Sequence, residues 1–134
     1  MKIARILTVL LLGTASSLSA ALTSTTTALS SSLNPSSYGQ AVIFTAVVTS
    51  SAGAPPDGET VTFKQGSKIL GTGALSGGSA TFTISTLTTG GTDPIKAVYA
   101  GDSNYASSTS NTVSQVVDKA TTTTTLTSSL NPAK

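Results

Sequence analysis

Apolar and polar residues alternate along most of the chain with a period of two. In the clearest segment, residues 41–49, Val42, Phe44, Ala46 and Val48 share one face and polar or smaller residues fill much of the other. Successive side chains of a strand point to opposite faces, so this pattern predicts half-buried strands. No segment keeps a helical period, and the many Thr and Val residues suit strands. Strands are predicted at residues 25–33, 41–49, 59–65, 68–74, 79–87, 94–100 and 108–117.

Turn residues lie between the predicted strands. Gly, Pro, Asn and Asp favour turns because they accept or preset unusual backbone angles. These residues cluster at 34–35, 54–58, 76–78, 90–94 and 101–104. Short strands separated by turns every eight to fifteen residues or so are typical of a sandwich. The sequence therefore predicts an all-β protein, an immunoglobulin-like β-sandwich of about seven strands.

A segment near the start of the chain returns near its end. Residues 26–35 (TTALSSSLNP) recur as residues 123–132 (TTTLTSSLNP), and the ordered run Ser-Ser-Leu-Asn-Pro is too specific for a general Ser and Thr bias. Such self-similarity indicates a repeat unit of domain size. We expect one sandwich domain at residues 24–118, followed at 119–134 by a linker and the truncated first strand of a second copy.

The N-terminus has the order of a secretory signal peptide. Lys2 and Arg5 precede an apolar run at residues 6–12, and small residues follow. A charged, apolar and small-residue order predicts a signal peptide at residues 1–20, a helix cleaved after Ala20, with cleavage after Ala21 as the alternative. A membrane anchor was the other interpretation, but the apolar run is far shorter than the ~20 residues of a spanning helix.

Charge and composition exclude several classes of function. The net charge of +2 comes from Lys2 and Arg5, and the five lysines and five acidic residues that remain balance each other. A neutral mature chain lacks the basic face that nucleic acid or an anionic membrane requires, so neither is an expected partner. The chain has no Cys and no His, which excludes disulfides, thiolate metal sites and the usual general base.

Several segments resemble bacterial Ig-like repeat domains of the group 3 type. The segment at residues 95–110, which includes Tyr99-Ala-Gly-Asp-Ser-Asn-Tyr105, is similar to the closing strands of those domains. Residues 39–46 (GQAVIFTA) and 56–63 (PDGETVTF) resemble earlier strands of the same family. The resemblance covers residues 24–118. It implies a non-catalytic spacer or adhesive module that occurs in tandem in large secreted or surface-attached bacterial proteins.

Tyr99 is the first side chain to consider as a possible site. The segment at residues 93–99 resembles the strand that carries the tyrosine corner of Ig-like sandwiches, which implies a buried phenol bonded to a backbone carbonyl. On that interpretation Tyr99 is a packing residue rather than a binding residue, and Tyr99→Phe lowers the melting temperature.

The remaining candidate residues each have an ordinary structural explanation. Asp102, Ser103 and Asn104 offer oxygen atoms that suit Ca²⁺, as does Asp118, but Asx residues also stabilise turns. Tyr38 and Tyr105 are candidates for stacking on a sugar, although we expect them to close the ends of the core. The Ser67-Lys68 pair points to opposite faces if it is extended, and Glu59 is expected at the surface. We therefore predict no catalytic residue, cofactor-binding residue or metal ligand, and no cofactor.

These observations favour a structural stalk module that supports adhesion and has neighbouring Ig-like repeats as its partners. The chain is expected outside the cell, secreted or on the cell surface. The alternative is a ligand-binding or carbohydrate-binding accessory module of a larger secreted enzyme or adhesin, with an unknown ligand.

Overall fold

The computed structural model describes residues 20–132, so nearly all of the predicted signal peptide lies outside the described residues. Within that part of the chain, all regular elements are strands. They are β1 (Thr25–Ser31), β2 (Ser36–Ser37), β3 (Val42–Ser50), β4 (Thr60–Gln65), β5 (Lys68–Ala74), β6 (Ser79–Ile84), β7 (Thr92–Tyr99), β8 (Ser108–Thr109) and β9 (Val113–Asp118).

The strands form two sheets. One sheet has the order β1-β3-β6, and the other has the order β2-β9-β7-β4-β5 with β8 beside β7. All pairs are antiparallel except β2 with β9, which is parallel and joins Ser36 to Val117 and Ser37 to Asp118. The prediction of an all-β sandwich is confirmed.

Two predicted strands differ in the structure. The first, 25–33, ends at Ser31, and after a cis Asn34–Pro35 peptide bond the chain forms β2 in the other sheet, outside any predicted strand. The last, 108–117, is interrupted at residues 110–112. There the Ser110 hydroxyl accepts a hydrogen bond from the Ala97 N–H (2.9 Å). β7 also begins at Thr92, within the segment that was predicted as a turn.

The core follows the predicted alternation. Along β3, the side chains of Val42, Phe44, Ala46 and Val48 are buried, and residues between them are mostly exposed. The remaining buried hydrophobic residues are Leu29, Val61, Phe63, Leu75, Ala80, Leu87, Ile95, Ala97, Tyr99 and Val117. One continuous cluster thus fills the space between the sheets.

One edge of the sandwich closes through glycines. A Cβ on Gly71 would collide with the Phe82 ring, and a Cβ on Gly73 would lie 2.5 Å from the Thr81 carbonyl oxygen. Phe82 stacks on Phe63 with the ring centroids 5.5 Å apart. We call these five residues the glycine seam, because the missing side chains let β5 of one sheet approach β6 of the other.

No described residue after Asp118 belongs to a strand, and residues 119–132 are all exposed. A search of the described residues finds no helix with the length and apolar character needed to cross a membrane.

Candidate functional site

The opposite edge of the sandwich is held by amide side chains. Gln115 lies on β9 and is completely buried. Its Oε1 accepts a hydrogen bond from the Ser31 hydroxyl (2.7 Å), and its Nε2 donates to the Leu33 carbonyl (2.8 Å). The Ser36 hydroxyl oxygen also lies 3.3 Å from Nε2. Because a buried amide must be hydrogen-bonded to be tolerated, Gln115 fixes where the first strand crosses between the sheets.

On the same edge, two asparagine side chains form hydrogen bonds with backbone groups, as a neighbouring strand would. Asn34 donates from Nδ2 to the Ser114 carbonyl (2.8 Å) and accepts from the Val116 N–H (2.9 Å). Asn111 accepts from the Leu29 N–H (2.9 Å) and donates back to the Leu29 carbonyl (3.2 Å). Each amide pairs with backbone groups of an edge strand that would otherwise depend on water. We call Asn34, Asn111 and Gln115 the polar seam.

The chain enters the sandwich at one pole. Thr23 forms a parallel bridge to Tyr105, with its N–H donating to the Asn104 carbonyl (2.7 Å) and its carbonyl accepting from the Ala106 N–H (2.8 Å). The Thr25 hydroxyl donates to the Ala106 carbonyl at 2.7 Å. The first residues of the domain are therefore anchored beside the loop before β8.

The chain leaves at the other pole. β1 and β2 run beside β8 and β9 in the same direction, so the hydrogen-bonded pairs advance from Thr25 with Ser108 to Ser37 with Asp118. The Tyr38 N–H closes this end by donating to the Asp118 carbonyl (2.8 Å). Entry and exit lie about 40 Å apart at ~3.3 Å per strand residue.

A shallow depression lies at the exit pole. It has a volume of about 190 Å³ and is lined by Tyr38, Thr89, Lys119 and Ala120. Tyr38 is 55% exposed, so it does not close the core as expected from the sequence. Tyr105 does pack against the core, at the other pole. The two tyrosines therefore do not form a shared surface for a sugar.

The candidate calcium ligands lie at different poles of the sandwich. Oδ1 of Asp102 accepts hydrogen bonds from the N–H groups of Asn104 and Tyr105, both at 2.6 Å, which is the geometry of an Asx turn. Asp118 is exposed at the exit pole, whereas Asp102 belongs to the entry pole. Among the described residues, the structure contains no group of three or more acidic side chains that could hold a metal ion.

Tyr99 is fully buried, as expected, but its hydroxyl has no hydrogen-bond partner within residues 20–132. The backbone carbonyl implied by the tyrosine corner is therefore not in contact with it. Burial raises the pKa of the Tyr99 phenol above its usual value, and the negative charges of Asp102 and Glu59 add to this increase. The phenol stays neutral, and the earlier expectation that Tyr99→Phe lowers stability loses its physical basis.

Asp93 is a buried residue that the sequence pattern did not predict. The pattern indicated a turn at this position, but Asp93 lies on β7 and is 5% exposed. Its Oδ1 accepts from Gln65 Nε2 (2.6 Å) and from the Thr88 hydroxyl (3.0 Å), while Oδ2 has no partner within the described part of the chain. The carboxylate ties the loop before β7 to β4. Its position next to Pro94 in a Gly-rich segment gave the signal of a turn instead.

Two other acidic residues, Asp57 and Glu59, also take part in hydrogen bonds within the domain. Oδ1 of Asp57 accepts from the Gly77 N–H (2.7 Å) between two turns. Glu59 precedes β4, and its backbone carbonyl accepts from the Leu75 N–H (2.7 Å).

The geometry defines a class of protein, an Ig-like β-sandwich whose buried polar groups hold its own strands. The family model described as bacterial Ig-like domain (group 3) matches residues 29–118, which is more than half of the chain. The chain therefore belongs to the bacterial Ig-like domain (group 3) family, and the resemblance noted in the sequence is confirmed.

Domains of this family are structural modules, generally non-catalytic, and they typically occur in extracellular or surface proteins. A comparison with curated proteins finds no match.

Proposed function

We propose that this chain is a non-catalytic spacer module of an exported bacterial surface or extracellular protein, arranged in tandem with further copies and supporting adhesion. The observation that carries the proposal is the placement of entry and exit at opposite poles. Modules joined through such poles extend in a line, because each copy begins where the preceding copy ends. A catalytic module has no need for this arrangement.

The polar seam supports a mechanical role. Force applied through the two chain ends acts along β2 and β9, which are neighbouring parallel strands, so their hydrogen bonds are loaded together in shear. The same force also loads the bonds of Asn34 to Ser114 and Val116. Breaking several bonds at once requires more force than opening a ladder one bond at a time.

The direct test is the shape of tandem copies. Proteins with one, two and three copies of residues 24–120 should increase in maximum dimension by about 40 Å per copy in small-angle X-ray scattering. A matched set with a flexible Gly/Ser linker inserted after Ala120 should give a smaller and more variable increase. A maximum dimension that stays nearly constant from two copies to three contradicts the spacer role.

Export requires its own test. The signal peptide proposal rests on the order of residues 1–20. Expression of the full chain in a bacterial host should release a mature protein whose N-terminus is Ala21, and Leu10→Arg within the apolar run should retain the chain in the cell. An uncleaved chain in both cases contradicts export by this route.

A second candidate function is carbohydrate binding at the exit pole, favoured by the exposed Tyr38 ring beside the depression. A sugar-binding surface of this kind would show NMR shifts at Thr89 and Lys119 with soluble oligosaccharides, lost in Tyr38→Ala. We favour contact with the next module, because Lys119 and Ala120 continue directly from β9 toward the second copy.

A further inference from the structure

Residues 122–132 repeat residues 25–35 at all but two positions. Thr25, Thr27, Leu29, Ser31 and Asn34 correspond to identical residues 97 positions later. In the first copy these residues contact Ser108, Asn111, Gln115 and the backbone of β9.

The differences between the two segments fall on the exposed surface. Ala28 and Ser30 are exposed, and the corresponding residues are Thr125 and Thr127. Threonine suits a strand at least as well as Ala or Ser. Residues 122–132 therefore keep the buried and hydrogen-bonding positions of β1 and differ from it only where side chains face solvent.

The second segment is exposed in the described part of the chain and is locally similar to the first. Leu126, the counterpart of the buried Leu29, is 93% exposed, and Leu130 is 66% exposed. The Ser128 hydroxyl donates to the Leu130 carbonyl (2.9 Å), just as the Ser31 hydroxyl lies 3.1 Å from the Leu33 carbonyl.

We propose that the β1 site of one chain accepts residues 122–132 of a second copy of this chain, by strand exchange. Thr124 then takes the position of Thr27 beside Ser108, Leu126 that of Leu29 in the core, and Ser128 that of Ser31 beside Gln115. Ser129 takes the position of Ser32, whose hydroxyl accepts a hydrogen bond from the Ile43 N–H (2.9 Å).

The exchange is intermolecular for a geometric reason. Thr122 would have to reach the entry pole, about 40 Å from Asp118, but the four residue steps from Asp118 to Thr122 span at most ~14 Å. A segment that leaves at the exit pole therefore cannot fill the β1 site of the domain that it leaves. Repeated exchange joins chains head to tail, as rings if the rotation between molecules closes and as open chains if it does not.

The covalently attached β1 competes with exchange. A tethered segment has an effective concentration in the millimolar range, so β1 occupies its own site in dilute solution. Exchange becomes visible when β1 is weakened. Leu29→Asp in residues 21–134 places a charge in the core and should release β1. Sedimentation between about 10 µM and 1 mM should then show a mass that rises with concentration to at least about twice the monomer.

The matched control is the double variant Leu29→Asp/Leu126→Asp, in which both segments carry the charge. It should stay monomeric and unfolded over the same range, whereas Leu126→Asp alone should remain a folded monomer with the wild-type melting temperature. A synthetic peptide of residues 120–132 should restore a cooperative thermal transition to the double variant, and the same peptide with Leu126→Asp should not. Equal behaviour of the single and double Leu29 variants, with no effect of the peptide, overturns the proposal.

A crosslink distinguishes strand exchange from general aggregation. Ser30 pairs with Thr45 in β3 and Thr26 pairs with Thr49, so Thr127, the counterpart of Ser30, should pair with Thr45 of the second molecule. In the Leu29→Asp background, Thr45→Cys with Thr127→Cys should form an intermolecular disulfide, because paired strand positions suit its geometry. Thr49→Cys with Thr127→Cys should crosslink at least about tenfold more slowly, and equal rates overturn the predicted register. Neither result depends on export or on a spacer role.

Discussion

The two edges of the sandwich are closed by different physical means. The glycine seam joins β5 to β6 through shape alone, with Gly71 against the Phe82 ring. The polar seam joins β1 and β2 to β9 through directed hydrogen bonds from Asn34, Asn111 and Gln115. Apolar contact is non-directional, whereas a hydrogen bond weakens steeply when its donor is displaced. The polar seam therefore fixes the register of β1 and β2 against β9, whereas the glycine seam fixes only the distance between β5 and β6.

The largest expected effect is at the centre of the polar seam. Gln115→Ala removes one hydrogen bond each from the Ser31 hydroxyl and the Leu33 carbonyl, which keep their 3.1 Å contact with each other. It also leaves a cavity where the fully buried side chain lay, so the free energy of unfolding should fall by about 3 kcal/mol. Urea unfolding followed by circular dichroism measures this change.

Ser114→Ala is the matched control for Gln115, since Ser114 is the preceding residue of β9 and its side chain is exposed. It should change the free energy of unfolding by less than about 0.5 kcal/mol. A loss in Ser114→Ala as large as that in Gln115→Ala would show that the strand as a whole, and not the buried amide, is sensitive.

The glycine seam should respond to added volume. Gly71→Ala introduces a Cβ into the Phe82 ring and should lower the free energy of unfolding by about 2 kcal/mol, because an overfilled contact forces its neighbours to shift. Gly91→Ala is the control: its Cβ would meet no atom of the described chain within 4 Å, so the variant should be nearly neutral.

Combining the two seams tests whether they act independently. Gln115→Ala/Gly71→Ala should lose the sum of the two single changes to within about 0.5 kcal/mol, since the substitutions lie on opposite edges and share no partner. A departure larger than about 1 kcal/mol would mean that the two edges are coupled through the core.

A smaller loss of stability is expected at Asn111, another residue of the polar seam. Asn111→Ala removes two hydrogen bonds to the Leu29 backbone, but the residue is exposed and water can replace them. We expect a loss of about 1 kcal/mol, together with faster hydrogen exchange at the Leu29 amide than elsewhere in β1. Thr112→Ala, at the next exposed position, should change neither quantity. Unchanged exchange at Leu29 in the Asn111 variant contradicts this role of the side chain.

The contrast between the seams also explains what the sequence could reveal. The strands were predicted because alternation is local, and the same alternation places Gln115 on the inward face with Val113 and Val117, a signal that was available. The pairing of Asn34 with β9 and of Asn111 with Leu29 joins residues about 80 positions apart. No local pattern encodes such a contact. Asp93 was misassigned because a Gly-rich segment before Pro94 is typical of a turn.

Tyr99 lies in the core that both seams enclose, and it gives the smallest predicted effect. Its hydroxyl has no partner within residues 20–132, so Tyr99→Phe removes a desolvated polar atom without breaking a bond. We expect the variant to be between unchanged and about 1 kcal/mol more stable at neutral pH. Thermal unfolding at pH 7 measures this, and a clear loss of stability would indicate that the hydroxyl is bonded after all.

The pH dependence of stability gives a second test of Tyr99. Because its pKa is raised in the folded chain, the unfolded chain loses this proton first as the pH passes about 10. Above that pH the folded chain holds more protons, so the free energy of unfolding falls as the pH rises toward the folded pKa. Tyr99→Phe should lack this component, and the stability difference between variant and wild type should widen in favour of the variant above about pH 10. A difference that stays constant from pH 8 to pH 11 contradicts the raised pKa of Tyr99.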